Sequence, residues 1–72
     1  MEPFTVVWRD ECVWCDRAKE LLANNGKIFA PVEFTADMMP LFAALGLETL
    51  PQIWRGSVHI GGYTELKAHL SE

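Results

Sequence analysis

The N-terminal third of the chain combines a short apolar run with a helical pattern. Residues 4–8, FTVVW, are β-branched or aromatic, which is typical of a buried strand. From Cys12 the apolar residues recur with the period of a helix, and charged residues occupy the opposite face. The predicted buried face consists of Trp14, Ala18, Leu21 and Leu22. The sequence NNG at residues 24–26 ends this helix, because Asn and Gly tolerate the left-handed conformation at a helix C-terminus.

The middle of the chain predicts a second strand and a short second helix. KIFAPVEF at residues 27–34 predicts the strand, and Pro31 places it at a sheet edge because proline has no N–H to donate. The helix lies within the sequence ADMMPLFAALG. Asp37 is its candidate N-cap, Pro40 is tolerated in its first turn, and Gly46 ends it.

The C-terminal third predicts a hairpin followed by a closing helix. The sequence PQIWRGSVHI contains two short strands around a turn at residues 56–57. The sequence YTELKAHL predicts the last helix, with Leu66 and Leu70 facing inward.

The predicted order of elements is therefore β-α-β-α-β-β-α. Its β-α-β unit implies two parallel strands joined by a right-handed crossover, and the hairpin adds antiparallel strands. The fold class is α/β, with a mixed four-stranded sheet flanked by helices. This arrangement places Cys12 at the carboxyl end of the first strand, where open α/β sheets bind ligands.

Length, composition and charge narrow the class of protein. With 72 residues and half of them hydrophobic, the chain predicts one small globular domain over residues 1–72. A net charge of −4 without a basic cluster argues against nucleic acid as a partner. The start, MEPFTVVW, lacks the positive charge of a signal peptide, and no apolar run approaches the roughly 20 residues that span a bilayer. We therefore expect a cytoplasmic protein without a membrane partner.

Cys12 and Cys15 are the only cysteines, and they lie three positions apart on one helical turn, close enough for a disulfide. A structural staple is a weak interpretation, because so short a loop adds little stability. A structural zinc site needs about four ligands, and His59 and His69 lack the paired spacing of zinc ligands. Inert core cysteines are a further alternative. A C-x-x-C pair in a β-α-β context favours thiol–disulfide chemistry.

The two thiols are predicted to differ in acidity. Cys12 lies at the helix N-terminus, where unpaired N–H groups and the helix dipole lower the pKa of a thiol below its ordinary value of about 8.5. Cys15 lies one turn further in and keeps its proton longer, which suits an attacking thiol followed by a resolving thiol. Three acidic residues near the pair oppose the thiolate, namely Asp10, Glu11 and Asp16.

Three motifs in this order give the sequence a resemblance to the glutaredoxins, the small members of the thioredoxin superfamily. They are RDECVWC at residues 9–15, TLPQIW at 49–54 and HIGGYTEL at 59–66, and together they extend over nearly the whole chain. The resemblance implies a minimal thioredoxin-like fold. It also implies a thiol–disulfide oxidoreductase that uses glutathione as a co-substrate and requires no metal or bound cofactor.

The resemblance also implies where glutathione binds. In the family, the proline corresponding to Pro51 is cis and faces the dithiol, and the backbone of the preceding residue, here Leu50, pairs with the cysteinyl part of glutathione. From the residue alone, a trans Pro51 that merely begins a strand remains an equal alternative. Arg9 and Thr49 correspond to residues near the glycine carboxylate of glutathione. Trp14 is either an apolar wall for glutathione or the core anchor that its helical spacing indicates.

The GGYTE segment resembles the family's site for the γ-glutamyl end of glutathione. Gly61 and Gly62 allow a tight turn, and the N–H groups near Tyr63 and Thr64 can bind a carboxylate at the start of the last helix. Glu65 stands where the family usually has an aspartate that contacts the α-amino group. A glycine turn followed by an ordinary helix start is the alternative interpretation.

The main hypothesis is a monomeric reductase of protein disulfides, glutathione mixed disulfides or both, with ribonucleotide reductase a family expectation among protein substrates. One alternative is an electron donor that thioredoxin reductase reduces. Another is a carrier in which two chains and two glutathiones hold an iron–sulfur cluster through Cys12. Val13 stands where many family members have proline, and its presence leaves cluster binding and the redox potential open.

Overall fold

A computed structural model describes residues 2–71, and its elements follow the predicted order. The strands are β1 (Phe4–Trp8), β2 (Phe29–Glu33), β3 (Gln52–Arg55) and β4 (Val58–Gly61). The helices are α1 (Val13–Asn24), α2 (Met39–Leu45) and α3 (Tyr63–Leu70), and a 3₁₀ turn at Ala36–Met38 precedes α2. None of the helices within residues 2–71 is long and apolar enough to cross a membrane.

The four strands form one mixed sheet in the order β2-β1-β3-β4. β1 and β2 are parallel, whereas β3 is antiparallel to both β1 and β4. The sheet predicted from the β-α-β unit and the hairpin is therefore confirmed. Pro31 lies in the edge strand β2, as its missing N–H predicted. The two central strands, β1 and β3, carry the segments that lead to the site described below.

The main core lies where α1 and α3 pack against the sheet. Alternation along β1 directs Phe4 and Val6 to the same face, where both are buried. The remaining buried members of this core are Ala18, Leu22, Ile53 and Leu66. Full burial of one such aliphatic side chain is worth roughly 1.5–3 kcal/mol. Because Ala18 and Leu22 of α1 belong to this core, their burial fixes the position of the helix, and of its N-terminus, against the sheet. Leu70 is partly buried against this core, as predicted.

Glycines end two segments at the predicted places. Gly46 adopts a left-handed conformation with φ 70° as the C-cap of α2. After α1 ends at Asn24, the residue that adopts the left-handed conformation is Gly26, with φ 67°, whereas Asn25 has φ −97°. Glycine tolerates this region because it has no Cβ.

The start of α2 differs from the prediction. Asp37 is not an N-cap, because it lies within the 3₁₀ turn and α2 begins two residues later, with Pro40 in its first turn. The N-cap is Met38, which makes no side-chain cap hydrogen bond. The predicted strand at 27–34 is also longer than the observed β2. Lys27 instead donates its N–H to the Leu22 carbonyl and completes the turn that ends α1.

Candidate active site

The dithiol lies where the chain leaves β1 and enters α1. Cys12 is the N-cap of α1, with an extended backbone (φ −119°, ψ 99°), and its sulfur accepts a hydrogen bond from the Cys15 N–H at 3.1 Å. The two cysteines form a disulfide with their Cα atoms 5.2 Å apart. A backbone N–H aimed at the Cys12 sulfur stabilises negative charge on that atom when the disulfide is reduced.

The two cysteines differ sharply in access to solvent. Cys12 is partly exposed, whereas Cys15 is 0% exposed beneath the first turn of α1. An external disulfide or thiol can therefore approach only the Cys12 sulfur. This difference in access is compatible with the predicted order, in which Cys12 attacks and Cys15 resolves.

The segment before β3 brings a second motif to the dithiol. The Leu50–Pro51 peptide bond is cis, as the family resemblance predicted, and Pro51 is buried. The Leu50 carbonyl oxygen lies 3.8 Å from the Cys12 sulfur. Because β3 pairs with β1, residues that are 38 positions apart in sequence meet at one edge of the sheet.

A groove beside the dithiol is lined in part by residues of the third motif, HIGGYTEL. It has a volume of about 320 Å³ and is lined by Trp14, Thr49, Leu50, Pro51, Gly62, Tyr63, Thr64 and Glu65. Arg9 lines an adjoining groove of about 580 Å³ that shares Thr49 and Leu50 with the first. The structure thus brings eight of the predicted binding residues together in one concave surface and places the ninth beside it.

The chain is similar to several known proteins. The glutaredoxin family model matches residues 4–60. The chain belongs to the glutaredoxin family. With its C-x-x-C pair, it is a thiol–disulfide oxidoreductase. A glutaredoxin of Pseudomonas aeruginosa is 39% identical over 70 residues, covering 90% of this chain and 77% of the relative.

Two solved glutaredoxin structures show the same fold. The solution structure of a Brucella melitensis glutaredoxin has a TM-score of 0.81 and 37% identity, covering 94% of this chain and 77% of that one. A buckwheat glutaredoxin–glutathione complex has a TM-score of 0.80 and 26% identity, covering 97% of this chain and 70% of that one. The minimal thioredoxin-like fold is therefore confirmed.

Trp14 is not the core anchor that its helical spacing indicated. Its side chain is 51% exposed, and its ring lies 5.2 Å from that of Tyr63. The Arg17 guanidinium carbon lies 4.8 Å from the centre of the Trp14 ring. The buried residues of α1 are Cys15, Ala18 and Leu22. The helical periodicity therefore wrongly placed Trp14, in the first turn, on the buried face. Trp14 instead forms a wall of the glutaredoxin groove.

The glycine turn and Glu65 form one unit at the start of α3. Gly61 has φ 126°, a conformation that side chains rarely permit, and an added Cβ there would lie 2.9 Å from the Glu65 Cγ. Glu65 Oε1 accepts a hydrogen bond from the Gly62 N–H at 2.8 Å. The N–H groups of Tyr63 and Thr64 occupy the first turn of α3, where helix geometry provides no intrahelical acceptor. These two donors line the groove and suit an anionic ligand group.

Charged residues around the dithiol lie on the surface. Asp10, Glu11 and Asp16 are exposed, and Asp16 forms an i,i+3 ion pair with Lys19 at 3.7 Å. Arg9 is also exposed. An exposed charge pair is worth about 0.2–1 kcal/mol, which is less than a hydrogen bond to a charged sulfur such as the amide contact at 3.1 Å.

Sequence analysis missed the role of Gln52, which directly follows Pro51. Gln52 is 5% exposed, and within residues 2–71 it is the one polar residue whose side chain is buried. Its Nε2 donates to the Thr49 carbonyl oxygen at 3.0 Å, and its Oε1 accepts from His59 Nε2 at 2.7 Å. A polar residue inside the apolar run LPQIW was the available signal. Within residues 2–71 no three His, Cys, Asp or Glu side chains form a group that could hold a metal.

Proposed function

We propose that this glutaredoxin is a cytoplasmic, glutathione-dependent reductase of protein disulfides, glutathione mixed disulfides or both. The groove next to Cys12 supports this most directly. It combines a backbone segment beside the sulfur with two helix N-terminal amides, and a cationic residue, Arg9, lies in the adjoining groove. The buckwheat relative in complex with glutathione supports the same assignment.

The parts of the groove match the parts of glutathione. The Tyr63 and Thr64 N–H groups would bind the γ-glutamyl carboxylate, because a helix N-terminus carries partial positive charge. The Leu50 backbone, beside the Cys12 sulfur, would pair with the cysteinyl peptide groups. Arg9 would attract the glycine carboxylate at the far end. Each charged or polar group of the ligand then has a complementary group on the protein.

Glu65 would act at the γ-glutamyl end in two ways. One carboxylate oxygen holds the Gly62 N–H at 2.8 Å and so shapes the glycine turn. The other oxygen remains available for the α-amino group of the ligand. The additional methylene of Glu65, compared with aspartate, allows its carboxylate to reach the Gly62 N–H.

Reduction of a protein disulfide proceeds in two exchanges. The Cys12 thiolate attacks one sulfur of the substrate, the substrate S–S bond breaks, and the departing thiolate takes up a proton. Cys15 then loses its proton and attacks the Cys12 sulfur, which releases the second substrate thiol. The substrate gains two electrons and two protons, and the protein is left with the Cys12–Cys15 disulfide.

Glutathione returns the protein to its dithiol form. A glutathione thiolate attacks Cys12, since Cys15 is inaccessible, and Cys15 leaves as a thiol after protonation. A second glutathione attacks the Cys12–glutathione disulfide and releases oxidised glutathione. Glutathionylated substrates enter this cycle at the Cys12–glutathione stage and do not need Cys15. No metal, nucleotide or other bound cofactor takes part, and the protein acts as a monomer.

The test is a direct comparison of two electron sources. Reduction of a glutathionylated carrier protein is measured with glutathione and glutathione reductase, and in parallel with thioredoxin reductase as the only reductant. We expect turnover with glutathione and little with thioredoxin reductase, and no turnover by a Cys12→Ser variant in either assay. Turnover with thioredoxin reductase alone would instead identify the protein as an electron donor of that system.

A further inference from the structure

We propose that Gln52 is a positioning residue for thiol–disulfide exchange, because its carboxamide orients the Thr49–Leu50 peptide group beside Cys12. The inference deepens the proposed function, since it rests on the pairing between the Leu50 backbone and a cysteinyl substrate. Gln52 itself lines neither groove. It acts from beneath the site, where its side chain is almost completely buried.

The hydrogen bonds define how the Gln52 carboxamide is oriented. The Thr49 carbonyl oxygen can only accept, so the carboxamide nitrogen must face it at 3.0 Å. The carboxamide oxygen therefore faces His59, whose Nε2 must donate across 2.7 Å. Gln52 is thus held at both ends, by the segment before β3 and by β4. The ring of His59 in turn packs on Trp54 with 4.8 Å between ring centres.

The consequence for the substrate follows from peptide geometry. The Leu50–Pro51 bond is the one cis peptide bond within residues 2–71, so the Thr49–Leu50 group is trans. In a planar trans peptide group the C=O and the N–H point in opposite directions. Because Gln52 holds the Thr49 carbonyl toward the buried side, the Leu50 N–H points away from Gln52.

The Leu50 N–H is available for a ligand. It has no backbone acceptor among residues 2–71, and Leu50 lines the groove beside the Cys12 sulfur. A cysteinyl substrate that is disulfide-linked to Cys12 presents its own backbone carbonyl close to this donor. Gln52 therefore prepares a hydrogen-bond donor for the substrate backbone, and rotation of the Thr49–Leu50 peptide group would misdirect it.

The inference predicts a loss that depends on the substrate. Fully reduced protein is mixed in single-turnover experiments with two disulfides, and oxidation of the protein is followed by acid quenching and chromatography. One probe is the disulfide of N-acetylcysteine N-methylamide, which has peptide groups on both sides but neither charged end of glutathione. The other is bis(2-hydroxyethyl) disulfide, which has no peptide group. Rates are normalised to those of dithiothreitol with the same probes.

Two variants of Gln52 separate its contacts. Gln52→Met removes the hydrogen bonds to the Thr49 carbonyl and hydroxyl oxygens and to His59, whereas an ionised Gln52→Glu side chain keeps an acceptor for His59 but has no donor for Thr49. Each should lower the rate with the cysteinyl probe about three- to tenfold more than the rate with the hydroxyethyl probe, as expected for one neutral hydrogen bond. Ile53→Val, in the adjacent buried position, is the control for loosened packing and should change both rates equally. If Gln52→Met does not fold, Gln52→Leu also removes every hydrogen bond of the carboxamide without burying a charge and provides the same comparison.

The outcomes distinguish the inference from the proposed function. If the Gln52 variants lose the same fraction of the rate with both probes, the ratio of the two rates is unchanged. Gln52 would then have only a structural role, and the inference would be overturned. If the wild-type protein itself shows no preference for the cysteinyl probe, the proposed pairing at Leu50 fails, and the inference fails with it. A preference in the wild type that disappears in both Gln52 variants supports the two together.

Discussion

We expect one backbone contact to make the reduced Cys12 thiol acidic, and a Cys15→Ala variant tests this. The Cys15 N–H donates to the Cys12 sulfur at 3.1 Å, and the substitution removes the Cys15 side chain while it keeps this N–H. If the amide is responsible, the Cys12 thiol should remain acidic in the variant. If the Cys15 thiol is responsible, its acidity should be lost.

The structure indicates which electrostatic effect is larger. A hydrogen bond to a charged acceptor is worth about 1.5–3 kcal/mol, which corresponds to a roughly 10- to 100-fold larger ionisation constant for the thiol. Opposing it are the exposed carboxylates of Asp10, Glu11 and Asp16. Exposed charge pairs contribute about 0.2–1 kcal/mol each, so the three carboxylates together cancel part of this stabilisation, and screening by salt reduces their share. We therefore expect the pKa of the reduced Cys12 thiol to lie below its ordinary value.

The assay is the rate of alkylation by iodoacetamide as a function of pH. Cys15→Ala leaves a single thiol, so the midpoint of the profile reports Cys12 alone. The variant should stay within about threefold of the wild-type ionisation constant, since it keeps the hydrogen bond that is worth tenfold or more. The matched control, Cys12→Ala, leaves only the buried Cys15 and should react slowly at neutral pH. A Cys15→Ala midpoint at the ordinary value for a thiol would refute the assignment to the amide.

Four further results are expected. Cys12→Ser should abolish all thiol transfer, whereas Cys15→Ser should still reduce glutathione mixed disulfides and lose those protein disulfides that need two thiols; activity in the opposite variants would reverse the assigned roles. Arg9→Glu should slow the reaction with glutathionylated substrates several-fold, because an exposed charge pair is worth about 0.2–1 kcal/mol, and added salt should reduce the difference; a rate that is independent of both would remove Arg9 from the site. Gly61→Ala should lower the free energy of unfolding by about 1–3 kcal/mol, because φ is 126° and the new Cβ would lie 2.9 Å from the Glu65 Cγ. An unchanged midpoint of denaturant unfolding would contradict this. Anaerobic reconstitution with iron, sulfide and glutathione should leave the protein colourless and monomeric, and a brown dimer that depends on glutathione would favour the carrier hypothesis.

The sequence by itself determined the elements and their order. Strands, helices and the hairpin depend on local periodicity, and their ends depend on residues such as Gly46 whose backbone preferences act within one turn. The position of Cys12 at the start of α1 is also local, because it needs only the preceding strand and the following helical pattern. The resemblance of three motifs to the family also predicted which residues lie around the dithiol.

Only the tertiary structure decided what those residues contact. Trp14 satisfied the helical period but lies outside the core, because the path of α1 over the sheet buries Cys15 and Ala18 instead. The Gln52 network depends on the pairing of β3 with β4, which places His59 beside a residue seven positions away. The contact between Leu50 and Cys12 likewise requires β3 to lie next to β1. The order of the strands in the sheet and the register between β1 and β3 depend on the packing of the whole core, whereas only the register within the hairpin follows from its local turn.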